Sequence, residues 1–536
     1  MMFRNYLKTG LGAAALTAAL AVTGTAPQDA QAADRPAVTV AVNKLARGLD
    51  PVEQTGTVDT RIYYSIYDTL IRRDFASESK GGAAKLVPGL ATSWTRTAPN
   101  RLELDLRQGV TCHDGNPFNA DDVLSTFDAE RLWGPKSYYA TGRQYFSHLT
   151  GVEKLGDYKV AFTTEGPDAA LELLLSSYTS FIVCDEAWNA HKEAGVDHTV
   201  WMEKASKAMN WKPVGTGPYK FASYQKNDHI KLDAFDAYWG GKPAATSVNF
   251  KEVPEVAARI SGLVSGEFDI VVDLTPDQWD VIDRYDDIKQ ESVVLDNSHV
   301  LVFNTADPVT GSKKLRQALS LAIDRSALIN ALWRGKTYTP KGHQLEKFGA
   351  MYVKDRPGYV TDVEKAKKLI AESGYKGEKI SYRLIPNYYP YNVEAAQIIQ
   401  EMWRAVGINV ELDFVESFKA VRAEGAQIYA WSNTYRIPDP AGAMLPLYGP
   451  NAAIQGKYKF FTAPAEYNKL ADELLQTADM TERQAKFARM LDIFEDEMPI
   501  TLLYNPLTTY AMKKNIEWTP YTLFYMDFRP DNFAVN

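Results

Sequence analysis

Two well-separated stretches of this chain each run strand, helix, strand, and that pattern limits the possible folds more than any other feature. In the first, Val248 and Phe250 alternate, and a helix follows with Val256, Ile260 and Leu263 on one face. It closes at Ser265-Gly266, and Phe268-Asp269-Ile270-Val271-Val272 then reads as a buried strand. In the second, Ile380, Tyr382 and Leu384 alternate. Asn392 is placed to cap a helix carrying Ile399, Met402, Trp403 and Val406, Gly407 ends it, and Val410, Leu412 and Phe414 alternate again. Each unit demands parallel pairing through a right-handed crossover. Val38, Val40 and Val42 mark a further early strand, and Thr361 with Glu364 has capping-box spacing before a helix ended by Gly374. A long helix is expected from about Ser312 to Trp333, ending at Gly335. Two such units in 536 residues, more than one core supports, predict an α/β protein of two lobes with a sheet in each.

Ligands of open α/β sheets bind beyond the carboxyl ends of the strands. That rule points to the loop Pro386-Asn387-Tyr388-Tyr389-Pro390-Tyr391 and to the segment from Ser432 to Pro440, which follows the strand Ile428–Trp431. Both are aromatic and Pro-punctuated, and the second holds Arg436. Convergent aromatics with one strong charge suit a ligand cleft, although each tyrosine also reads as ordinary loop packing.

The N-terminus carries Arg4 and Lys8, an apolar run from Leu11 to Gly24, and the small-residue site Ala30-Gln31-Ala32. The run is shorter than the ~20 residues that span a bilayer. The order of parts reads as a cleaved secretory signal peptide, residues 1–32. In the oxidising compartment this implies, Cys112 and Cys184, the only cysteines, read as one disulfide, with two separate buried thiols as the alternative. A net charge of −8 without a basic tract excludes a nucleic-acid partner. No Gly-x-Ser-x-Gly, phosphate-loop or His-Glu-x-x-His motif is present, so the chain reads as no enzyme and needs no cofactor. His113 follows Cys112 directly, and neighbours on a strand point to opposite faces, which argues against an activated thiol. Seven histidines, among them His191, His198 and His299, form no ligand cluster in the sequence, so no metal residues are assigned.

Several motifs stand in a telling order. Leu86-Val-Pro-Gly-Leu-Ala-Thr-Ser-Trp94 leads into Leu106-Arg-Gln-Gly-Val-Thr-Cys-His-Asp-Gly-Asn-Pro-Phe-Asn-Ala-Asp-Asp-Val123. Val214-Gly-Thr-Gly-Pro-Tyr219, Lys314-Leu-Arg-Gln-Ala-Leu-Ser-Leu-Ala-Ile-Asp-Arg325 and Gln400-Glu-Met-Trp-Arg-Ala-Val-Gly-Ile-Asn-Val-Glu411 follow. The ordered set spans nearly all of residues 36–530 and resembles family 5, the peptide, nickel and oligosaccharide extracellular solute-binding proteins of bacterial ABC importers. The resemblance implies a bilobed periplasmic-binding-protein fold of type II, the large dipeptide/oligopeptide-binding kind. Lobe one would comprise 33–75, an inserted subdomain at 76–210 holding both cysteines, and 211–296. Lobe two would span 297–506, and 507–536 would return to lobe one. It further implies a periplasmic monomer that closes on a small-molecule ligand and docks on the permease subunits in the inner membrane.

Peptide binders of the family hold the ligand's α-amino group with an Asp that follows a Trp and precedes an Asp-Pro pair. Here the matching segment is Trp431-Ser-Asn-Thr-Tyr-Arg-Ile-Pro-Asp-Pro440, with no acid before Asp439 and Arg436 in the interval. Dipeptide binders carry an Arg just before the Pro390-Tyr391-Asn392 position, where this chain has Tyr389. Reversing the anchor's charge favours carboxylate or phosphate. The expectation is therefore an anionic sugar-derived or opine-like ligand, gripped by Arg436 and contacted by Tyr389, Tyr391, Trp431 and Tyr435. Lys44, Arg47, Asn304 and Trp211 are further cleft candidates. A di- or oligopeptide is the alternative, and a nickel or metal chelate the second alternative.

Overall fold

A computed structural model describes residues 35–80 and 84–536. The signal-peptide reading of residues 1–32 lies outside them. Two sheets organise the chain. The larger has seven strands in the order Ile288–Val294, Leu507–Lys513, Ile270–Leu274, Ala37–Val42, Ser247–Glu252, His229–Ala234, Tyr219–Gln225. The smaller has five, in the order Val410–Phe414, Ile380–Leu384, Ile428–Thr434, Asn297–Phe303, Ile500–Tyr504. The first sheet thus draws on residues before 295 and after 506, the second only on those between. The chain passes from one to the other twice, through Leu295-Asp296 and Asn505-Pro506, and the Leu295 amide donates to the Pro506 carbonyl at 2.9 Å, joining the two connectors.

A third, four-stranded antiparallel sheet, from Ala91–Ala98 to Lys159–Thr164, lies between the strands Ala37–Val42 and Tyr219–Gln225 in the chain. Its neighbourhood carries the disulfide Cys112–Cys184, which joins residues 72 apart, so the paired reading of the cysteines holds and the two-thiol alternative falls. No helix among the described residues is long and apolar enough to cross a membrane.

Four local readings change. Strands Ser247–Glu252 and Ile270–Leu274 are not neighbours. The early strand Ala37–Val42 sits between them and pairs with both in parallel, so its backbone is bonded on both edges, as a buried central strand of a parallel sheet requires. The second unit matches expectation, with Ile380–Leu384 beside Val410–Phe414 in parallel. The helix expected from Ser312 to Trp333 is two, Lys313–Leu321 and Arg325–Trp333, because Asp324 caps the second by accepting the Ala327 amide at 2.9 Å. Asp362, rather than Thr361, caps Val363–Ser373. Asn392 begins its helix instead of capping it, and its amide donates to the Ile385 carbonyl at 2.6 Å.

The motifs that carry the resemblance explain themselves as packing. A Cβ on Gly215 or Gly217 would lie within 2.3 to 2.5 Å of Ile66 backbone atoms, so only glycine lets this loop cross the end of the helix Thr57–Ile66. His113 Nε2 meets the Gly217 carbonyl at 2.9 Å, while Nδ1 accepts the Gly215 amide at 3.4 Å, which fixes the neutral ring. Burial drives that imidazole's pKa down to about 4. Arg316 and Arg325 are clamps: their guanidiniums donate to carbonyls of residues 310, 311, 497 and 498, and of 320, 323 and 502.

Candidate functional site

The carboxyl ends of Ala37–Val42, Ile380–Leu384 and Ile428–Thr434 converge on a cavity of about 330 Å³ between the two sheets. Thr55 and Thr57 come from the seven-stranded half, Tyr178 from the inserted region, and Tyr388, Trp431 and Arg436 from the five-stranded half. A larger hollow of about 480 Å³ lies elsewhere, entirely within residues 317–498, and its Arg356 is already paired with Asp492 and Glu495. The first opens between both halves at the ends of these strands and holds Arg422 and Arg436, which have no acid within ion-pairing distance among the described residues, so it is the candidate site.

Arg436 reaches across it. Its Nη2 donates to the Thr55 carbonyl at 2.7 Å and the guanidinium lies 4.3 Å over the Tyr178 ring. Tyr389 accepts a hydrogen bond from Ser432 Oγ at 3.2 Å, and burial pushes its phenol pKa up, so it stays protonated. Trp431 stands edge-on to Phe418 at 4.9 Å. Arg47 lines the rim, with its charge shared with Asp59, and that hydrogen bond raises its pKa. These four predicted residues come together.

The other five do not line the cavity. Tyr435 is fully buried on the opposite face, its hydroxyl 3.1 Å from Ser298 Oγ, because neighbours along an extended chain alternate sides and Thr434 and Arg436 take the cleft side. Tyr391, at φ +57°, donates its hydroxyl to Asp277 on the far half, and burial, then this bond, raise its pKa to about 12. Asn304 ties its own turn to a distant loop, accepting the Ala306 amide at 3.0 Å and donating to the Ala426 carbonyl at 2.9 Å. Trp211 stacks on Tyr224 at 4.1 Å. Lys44 pairs with Glu252 at 2.8 Å. Asp439, the first acid after Trp431, faces no cleft: it is buried and bound by Arg483 at 2.6 and 2.8 Å.

Sequence reasoning missed Arg422. It sits just past the short helix Phe418–Val421, its guanidinium 3.9 Å over Trp431, with Nη1 donating to the Tyr458 hydroxyl at 3.3 Å. The i, i+4 spacing of Phe418 and Arg422 was the available signal, since it puts both on one helix face. His299 is packed between the rings of Tyr389 and Tyr504 at 4.9 and 5.3 Å, and burial takes its pKa down to about 3. It belongs to no ligand cluster among the described residues.

The model of the bacterial extracellular solute-binding proteins, family 5, matches residues 85–455. The chain is 27% identical to a di/tripeptide-binding protein 1 of Pseudomonas aeruginosa, over 91% of each chain. It is 26% identical to a dipeptide-binding protein of Escherichia coli, covering 82% of this chain and 84% of that one. Its fold superposes, at a TM-score of 0.81 and 20% identity, on a dipeptide-binding protein from Pseudoalteromonas sp. SM9913 in complex with Met-Leu, over 93% of this chain and all of that one.

Proposed function

The chain belongs to the family 5 bacterial extracellular solute-binding proteins, and from that premise we propose that it captures a short peptide and delivers it to the permease of an ABC importer. The family's members bind substrates rather than transform them. One observation carries the reading: a cavity of about 330 Å³ whose walls come from both sheets and whose two connectors are adjacent strands' ends. A ligand there touches both lobes only when they are closed, which is how binding drives closure. The lobes follow residues 33–296 with 507–536, and 297–506. The protein works as a periplasmic monomer after loss of residues 1–32.

The sequence led first to an anionic sugar-derived or opine-like ligand. The curated relatives support the peptide alternative better, since the di- and tripeptide binders align over most of this chain. The anionic acid remains a second reading because no Asp or Glu lines the cavity. The test is thermal shift on residues 33–536, stripped of ligand by partial unfolding, against peptides, sugar acids, opines and nickel chelates. A ligand at about 100 times its Kd adds about 2.7 kcal/mol. Stabilisation by di- to pentapeptides is expected, and a response to nickel chelates alone would overturn the reading.

A further inference from the structure

We propose that the cleft selects its ligand by a carboxylate held at Arg422 and disfavours a charged amino group beside that carboxylate. This rests on the solute-capture reading above and specifies what is captured. The argument begins with charge. Three guanidiniums, Arg47, Arg422 and Arg436, line the cavity, and no carboxylate does. Arg47 is answered by Asp59. Among the described residues neither Arg422 nor Arg436 has an acid within ion-pairing distance, so two positive charges face the cavity uncompensated. An ammonium placed beside them would meet their repulsion and only neutral acceptors, such as the Thr55 carbonyl and the Ser432 and tyrosine hydroxyls, with no carboxylate to answer it.

The two cations are not equivalent. Arg436 already spends Nη2 on the Thr55 carbonyl of the other lobe, which makes it a tie across the cleft. Arg422 is fixed in orientation but not consumed. Trp431 covers its face at 3.9 Å, one N–H donates to the Tyr458 hydroxyl and another bonds the Tyr429 phenol, which leaves part of its five-donor fork unspent. Stacking takes the face of a guanidinium and not its in-plane edge, and the N–H groups still unspent on that edge are the ones that meet a carboxylate. Ser432 and Tyr389, already bonded to one another at 3.2 Å, stand at the same wall as neutral partners for ligand amide or hydroxyl groups.

The shared chemistry, a carboxylate without a neighbouring ammonium, has two sources: an N-blocked acidic peptide or a sugar acid. Titration calorimetry on residues 33–536 would use N-acetyl-Asp-Glu, free Met-Leu, Lys-Lys and glucuronate, each at low and high NaCl. Binding of N-acetyl-Asp-Glu or glucuronate, weakened by salt, with Lys-Lys silent, is the expected result. Arg422→Gln should weaken that binding about tenfold to hundredfold. Arg422→Lys should recover part of it, and thermal unfolding of both variants checks that they fold. Should glucuronate alone bind, the peptide reading falls and this proposal stands. Should Met-Leu bind as tightly as the acetylated acid, or should folded Arg422→Gln bind unchanged, the proposal is overturned and peptide capture stands. Silence from every probe overturns both.

Discussion

Acidification should destabilise this protein through buried neutral histidines, and His343 offers the cleanest measurement. Its ring is 2% exposed, wedged edge-on against Phe494 at 4.9 Å and Tyr448 at 5.7 Å, and neither nitrogen has a partner. Burial, then the nearby Arg356 charge, lowers its pKa from 6.5 to about 3. A folded pKa below the unfolded one means stability is complete above the unfolded value. It is lost as pH falls from 6.5 towards about 3, because the unfolded chain takes up the proton first. Between pH 7.5 and 5 that costs about 2 kcal/mol for one such group. His299, lowered to about 3 by burial alone, contributes a similar ~2 kcal/mol. Urea unfolding followed by tryptophan fluorescence would be compared at the two pH values for the wild type and His343→Leu. The leucine variant should lose about 2 kcal/mol less on acidification, whatever its stability at pH 7.5. Equal losses in the two proteins would refute the reasoning, since carboxylates and the remaining histidines cancel in the difference.

Replacing Cys112 and Cys184 by Ala opens a loop of 72 residues and should cost about 4 kcal/mol by the chain-entropy estimate, read as a fall in the urea midpoint. Asp439→Ala leaves Arg483 buried and unpaired, which costs about 3 to 5 kcal/mol in unfolding experiments. Ligand affinity of the folded fraction should not change, because Asp439 is no anchor. Arg436→Ala removes the tie to Thr55 and should raise the ligand Kd about tenfold by calorimetry, and an unchanged Kd would sink its role. Tyr391→Phe deletes the bond to Asp277 between lobes and should raise Kd about fivefold without altering the unfolding midpoint of the empty protein.

Periodicity made the second strand–helix–strand unit legible, since Ile380–Leu384 and Val410–Phe414 are consecutive in sequence and adjacent in space. The first unit was legible as elements and not as order, because the strand inserted between its two members comes from residues 37–42. No local pattern encodes that placement, which is decided by which apolar edge is left to cover. The helix break at Asp324 was visible in principle, as an Asp three residues before Ala327, but the apolar spacing on both sides masked it. The site was legible to the extent that it follows strand ends. Trp431 lies in the strand Ile428–Thr434, Arg436 and Tyr389 follow strand ends, and the three meet at the cavity, whereas Tyr435 was lost to alternation and Tyr391 to a left-handed turn that aims it at Asp277. The spacing of Phe418 and Arg422 hinted at a shared face, but not at a role, because that depends on Trp431 lying beneath Arg422, a contact between residues nine apart around a loop.

The cross-cleft bonds also bound how closure must work. Arg334–Asp280, Tyr391–Asp277 and Arg436–Thr55 all join the five-stranded half to the other. The first is solvent-exposed on both sides, and exposed pairs of this kind contribute about 0 to 1 kcal/mol. The others add about 1 kcal/mol each as single hydrogen bonds. Together they balance a cleft that must desolvate two uncompensated guanidiniums when it shuts empty. On the proposal above, a ligand carboxylate would remove that cost only in the closed form and so carry the differential affinity that shifts the lobes. On the same proposal, the positive charge that selects the ligand also opposes closure of the empty cleft, and neutralising Arg422 should loosen both properties at once.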